Sequence, residues 1–347
     1  MVRKGQRTGI FDLEHSPPIE LIKHSQENVD ETLGQAKPRI MIDVNATNLT
    51  NNRISARTAF VIVKEQMRLA NIRQQTIKEY EYIYNRLIKT MQINYLDEIT
   101  LESLYGFLDV LGDVKDITKQ SKMRVLKAIL NRFYDNGWLN RNFWKEVKIK
   151  VDNKIKPPAN ENNLAILLSL LDMSNFIHFR DAVAVLTIYK CGLRMSTLVQ
   201  LEEKHIDFNN RMLIIQGDIM KGREAVKLPF DEELDTFFKR LIKQNDIIRK
   251  HYCKQNEYLF VSKFGDRIFS ENTPNAITKR LSYYAKEFGL EQINPHAIRR
   301  LFASNLLKRG ANVALISKAL SHKSLATTTV YLGLTTDEVA NDLRDYL

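Results

Sequence analysis

Val147-Lys-Ile-Lys-Val-Asp-Asn-Lys-Ile-Lys-Pro-Pro divides the chain more firmly than any other stretch. Pro157-Pro158 forbids helix there and pushes the preceding residue toward extended backbone. Nothing on one side can therefore continue a helix into the other, and 347 residues is enough for a separate core on each side. The stretch is also basic, with Lys148, Lys150, Lys154 and Lys156 recurring along it. It reads either as a solvated linker or as a strap along a polyanion.

Ahead of that divide, from Ile54, apolar residues take on helical spacing. Ala59, Val61, Ile62, Met67 and Leu69 open the pattern. Ile77, Tyr80, Tyr84, Leu87 and Ile88 then predict a helix from about Gln75 to Thr90. Further helices are expected near 100–111 and 117–136, the second carrying Met123, Val125, Leu126, Ile129, Leu130 and Phe133 and ending at Asn136-Gly137. Residues 1–53 lack sustained periodicity and form an N-terminal extension with at most one short helix near 18–33. Beyond the divide the pattern is mixed. Helices are expected at 161–172, 178–190, 231–250, 272–288, 295–308, 312–320, 324–331 and 336–346. A hairpin is expected from Met212 to Pro229 around Gly217-Asp-Ile-Met-Lys-Gly-Arg.

The formal net charge is +11. Residues 1–50 contribute −1 and the tail after Tyr331 contributes −3, so 51–331 holds +15. A polyanion should lie on that middle. Two cysteines, Cys191 and Cys253, are too few for a zinc motif or a disulfide framework. No apolar run approaches the roughly 20 residues a membrane span needs, and Met1-Val-Arg-Lys-Gly-Gln-Arg leads into no apolar stretch. The expectation is a cytoplasmic, nucleoid-associated protein with no membrane partner.

Five short segments carry chemistry: Cys191-Gly-Leu-Arg-Met-Ser, Met220-Lys-Gly-Arg, Pro295-His-Ala-Ile-Arg, Leu320-Ser-His-Lys and Thr329-Val-Tyr-Leu. From them come Arg194, Lys221, His296, Arg299, His322 and Tyr331. Taken singly, each has a bland explanation: a surface arginine, a turn lysine, a capping histidine, a core tyrosine. Together they supply cations, hydrogen-bond donors and a phenol, a set suited to attack on a phosphodiester without metal or cofactor.

In order and spacing the five segments resemble the tyrosine recombinase (phage integrase) family, over about 161–331. The resemblance implies a mainly α fold with a small β-sheet or hairpin in the catalytic domain. It also implies a two-domain, C-shaped clamp on DNA: a helical (SAM-like) core-binding domain at 54–150, a linker at 151–160 and a catalytic domain at 161–347. It implies that Tyr331 attacks the scissile phosphate to give a 3′-phosphotyrosine. Arg194, Arg299 and His322 would hold the non-bridging oxygens, and Lys221 would protonate the leaving 5′-oxygen. His296 would position the phosphate or help remove the Tyr331 proton. Double-stranded DNA is the implied partner. It would be met through Lys64, Arg68, Arg73, Lys78, Lys119, Lys122, Arg124 and Lys127 among others, by a tetramer on two DNA sites. The C-terminal helix, with Val339, Leu343 and Leu347, would dock in trans on a neighbouring protomer, and an accessory DNA-bending or directionality protein is a further partner.

Three departures stand out. Thr197 occupies a position where the family usually has an acid. Arg300 replaces a frequent histidine, and Leu-Ser-His replaces Leu-Gly-His. The reading is a site-specific DNA recombinase, the integrase of a phage or mobile element. The alternatives are a DNA-binding transcriptional regulator that kept the fold without recombining, and a housekeeping resolvase of chromosome dimers, which the N-terminal extension fits less well.

Overall fold

Four amphipathic helices and the chain that follows them build the first unit of the computed structural model, which describes residues 53–152, 156–217, 219–220, 224–268, 276–322 and 324–332. The contacts divide the described chain into two units on either side of residues 153–155. The expected helices at 18–33 and 336–346 lie outside the described residues.

In the first unit α1 (Ala56–Leu69), α2 (Gln74–Thr90), α3 (Leu101–Val110) and α4 (Asp116–Asp135) share one core. Phe60 stacks on Tyr84 with centroids 4.8 Å apart, and Phe133 meets the Tyr84 ring edge-on at 5.6 Å. Helix α1 corrects the sequence reading. It buries Ala56, Ala59, Phe60, Val63 and Met67, whereas Val61 and Leu69 are exposed. The small residues Ala56 and Ala59 mark the contact face because they let α1 approach its neighbours closely. α4 buries all six of its expected residues and stops at Asn136, with Gly137 at φ 74°.

The first half of the linker packs on this unit. The Lys127 Nζ donates to the Val147 carbonyl at 2.6 Å and the Gln120 amide donates to Ile149 at 3.1 Å. Lys148 and Lys150 are exposed beside these anchored carbonyls.

The second unit is organised around α6 (Phe176–Cys191), which is buried nearly all round and therefore has no polar face. Its flanks are α5 (Glu161–Leu170), α7 (Met195–Leu198), α8 (Glu232–His251), α9 (Ala276–Glu287), α10 (Pro295–Lys308), α11 (Val313–Ala319) and α12 (Leu325–Leu332). Asn160, Asn175, Asp231, Asn294 and Asn312 cap the helices they precede. Pro295 sits in the first turn of α10, where its missing N–H costs nothing. Buried Arg180 and Asp181 pair at 2.7 Å. Arg180 also donates to the Val261 carbonyl and Asp181 accepts from Arg280, which ties α6 to α9.

The expected hairpin is present as β2 (Met212–Ile215) and β3 (Val226–Pro229), with Leu213 opposite Leu228. A two-residue strand β1 (Ile206–Asp207) adds an edge, giving an antiparallel sheet in the order β1-β2-β3. The linker's far end is fixed here: Ala159 donates to the Ala297 carbonyl and Arg300 Nε to the Pro157 carbonyl, both at 2.9 Å. Arg300, a departure at the sequence level, thus holds the linker to α10.

Candidate active site

Gly192 ends α6 in the left-handed conformation, φ 64°, which a residue with a side chain adopts only at a cost. A Cβ there would stand 2.3 Å from the Phe302 ring of α10. The chain can therefore turn sharply beneath α10, and two residues later Arg194 precedes α7 as its N-cap, half-buried. Arg194 Nη2 donates to the Ser321 carbonyl at 3.4 Å.

Arg299 comes from the second turn of α10 and is 4% exposed. Its Nη1 donates to the Gly192 carbonyl and its Nη2 to the Leu320 carbonyl. The two arginines thereby hold consecutive carbonyls, Leu320 and Ser321, immediately ahead of His322. The His322 N–H is bound in turn by the Ser317 carbonyl at 2.9 Å. Burial pushes the His322 imidazole down to about 4, and the cations Arg299 and Arg194 act in the same direction. The ring is neutral near pH 7, a hydrogen-bonding group rather than a third positive charge.

His296 is exposed on the first turn of α10, one turn ahead of Arg299. Tyr331 lies in α12, its side chain outside the described set. Lys221 lies outside the described residues altogether. The residues just before it are placed: Met220 is 3% exposed and Ile219 packs against the core. Thr197, buried in α7, donates to the Ile219 carbonyl over a long 3.4 Å. At the usual acid's position there is thus a buried hydroxyl in contact with the segment that leads to Lys221. Cys191, next to Gly192, is no competing nucleophile, because burial pushes its thiol up to about 12.

The structure therefore joins Arg194, Arg299 and His322 through backbone carbonyls from three separate parts of the chain. Residues 161–338 match the description of the phage integrase family, more than half of this sequence. The chain belongs to that family, the tyrosine recombinases. Tyrosine recombinase XerD of Vibrio vulnificus is 24% identical over 282 residues, 77% of this chain and 87% of that protein. Tyrosine recombinase XerC of Chlamydia caviae is 28% identical over 183 residues, 52% of this chain. There the match spans little more than half of the relative, 56% of its length.

Among solved structures, the Tn1549 transposon integrase in complex with transposon right end DNA has the same fold. The TM-score is 0.65 at 18% identity, covering 84% of this chain and 99% of that one. XerH bound to difH substrate matches with a TM-score of 0.59 at 20% identity, over 84% of each chain.

Within this tyrosine recombinase the Leu-Ser-His departure has a physical cost. Ser321 sits at φ 48°, where the family's usual glycine carries no Cβ penalty. Ser321→Gly is expected to stabilise the protein by about 0.5–1 kcal/mol, measurable as a rise in thermal unfolding temperature, since the relief slightly exceeds the added freedom of the unfolded chain.

Sequence reasoning missed Thr328. This residue is fully buried in α12, and its Oγ1 lies 3.0 Å from His322 Nδ1. The only trace in the sequence is a run of three threonines just before Tyr331, which does not say which of them faces inward.

Proposed function

We propose that this chain is a site-specific DNA recombinase that cleaves and rejoins strands through a 3′-phosphotyrosine. The observation that carries the reading is the convergence of buried Arg299, half-buried Arg194 and neutral His322, one short loop away from the helix that bears Tyr331. Two guanidiniums and a donor imidazole suit the non-bridging oxygens of a pentacoordinate phosphorane.

In the proposed step the Tyr331 oxygen bonds to phosphorus and the bond to the 5′-oxygen breaks. Lys221 gives its proton to that oxygen. His296 positions the phosphate or takes the phenol proton. The free phenol has a pKa of about 10, so a surrounding of cations is what makes it reactive near neutrality. The phosphotyrosine conserves the energy of the phosphodiester, and a 5′-hydroxyl of the partner strand reverses the step.

The +15 carried by residues 51–331 supports double-stranded DNA as the substrate. Exposed Lys148, Lys150 and Lys156 support a phosphate contact along the linker. The domain boundaries proposed are a helical DNA-binding unit at 54–150 and a catalytic unit at 161–347. We further propose a tetramer on two sites, with the 334–347 segment docking in trans. Residues 1–53, ahead of the helical unit, support an integrase of a phage or mobile element over a chromosome-dimer resolvase.

Trapping covalent protein–DNA adducts from cells that express the wild type or Tyr331→Phe, then sequencing the attached DNA, tests the reading. Adducts confined to the wild type and mapping to a few short inverted sites are expected. Both proteins occupying the same promoters without adducts would establish the regulator instead.

A further inference from the structure

Thr328 is fully buried in α12, one helical turn before Tyr331, while His322 belongs to the loop between α11 and α12. Their side chains meet at 3.0 Å through Thr328 Oγ1 and His322 Nδ1. The two ring nitrogens of a neutral histidine are not equivalent, and the partner of one decides the chemistry of the other. A buried hydroxyl proton needs an acceptor, and the His322 Nδ1 in contact with it can serve as one when the ring carries its proton on Nε2. The groups that face the ring from α7 and α10, Arg194 and Arg299, carry only donors, so neither can accept a proton from the ring.

We infer that Thr328 is a positioning residue: its hydroxyl donates to His322 Nδ1, fixes the Nε2–H tautomer and ties the histidine to the helix that carries Tyr331. Nε2 then presents a donor, the form that binds a phosphoryl oxygen, rather than a lone pair that would act as a base. The low titration point of His322 agrees with this, since a ring that stays neutral needs its single proton on the correct nitrogen. The inference deepens the recombinase reading and rests on it for its kinetic consequence, but the tautomer itself can be seen without DNA.

The test uses the full chain with 15N-labelled histidine, its His322 signals assigned by their loss in His322→Gln. Between pH 6 and 8 the expected wild-type spectrum has Nδ1 unprotonated and Nε2 protonated. Thr328→Val should give a mixture of tautomers and Thr328→Ser should keep the wild-type form. In single-turnover cleavage of a nicked duplex bearing a recovered site, Thr328→Val should lower the rate by about 10- to 100-fold, as loss of an orienting partner does elsewhere. Thr328→Ser should restore it to within about 3-fold, and Thr328→Val added to His322→Gln should cost nothing further.

A proton on Nδ1 in the wild type overturns the inference, and this needs no variant to fold. So does a Thr328→Val loss that persists unchanged in the His322→Gln background, because Thr328 would then act on packing alone. A wild type that forms no adduct anywhere, with the Nε2–H tautomer present, refutes the recombinase reading and leaves the tautomer assignment standing.

Discussion

Arg299→Ala is expected to abolish covalent adduct formation and to destabilise the catalytic unit at the same time. The guanidinium is 4% exposed and donates to the carbonyls of Gly192 and Leu320. Truncation leaves two buried acceptors without that partner, each worth about 1–3 kcal/mol. In the proposed mechanism it also removes a fixed donor to the reacting phosphate, and loss of one such donor lowers rates by about 100- to 1,000-fold. Urea unfolding and adduct yield read the two losses separately. Arg299→Lys keeps the charge, but one ammonium cannot reproduce a planar fork that bridges two carbonyls, so it should recover little of either. Full adduct yield from Arg299→Ala would remove this residue from the chemistry.

Gly192→Ala should be nearly as damaging, although the change adds only one uncharged methyl group. At φ 64° the left-handed conformation costs a residue with a side chain about 1–2 kcal/mol. The new Cβ would also sit 2.3 Å from the Phe302 ring, an overlap that adds about 1–3 kcal/mol as the ring or backbone shifts. Because the Gly192 carbonyl is an anchor of Arg299, the shift propagates into the site, and adduct formation should fall with stability. Combining Gly192→Ala with Phe302→Ala removes the overlap but not the backbone strain. The double variant should therefore be more stable than the sum of the two single losses implies, by chemical denaturation.

What could be read in advance follows from where the information resides. Arg194, Arg299 and His322, which the structure brings together, stood out through an order and spacing that resemble the tyrosine recombinase family, since each of them alone has a bland explanation. α2, α4 and the β2–β3 hairpin were legible because their periodicity is strong. α1 was misread at Val61 and Leu69: with apolar residues on several sides of the helix, the pattern did not single out the packed face of Ala56, Ala59, Phe60, Val63 and Met67. β1 escaped because two residues carry no periodicity; only its pairing with Met212 and Leu213 defines it. The fit of Gly192 beneath Phe302 and the bond from Thr328 to His322 depend on tertiary geometry. Arg300, seen first as a lost histidine, proved to have a partner in Pro157.

Among the described residues, the clamp around His322 runs through main-chain oxygens: Gly192 and Leu320 for Arg299, Ser321 for Arg194, Ser317 for the His322 amide. Every amino acid carries a carbonyl. An anchor of that kind is encoded in the path of the backbone and survives replacement of the side chains along it, so long as the turn at Gly192 and the loop before His322 keep their course. Such a site asks little of the side chains around it, and the fold itself is shared with the Tn1549 transposon integrase at 18% identity.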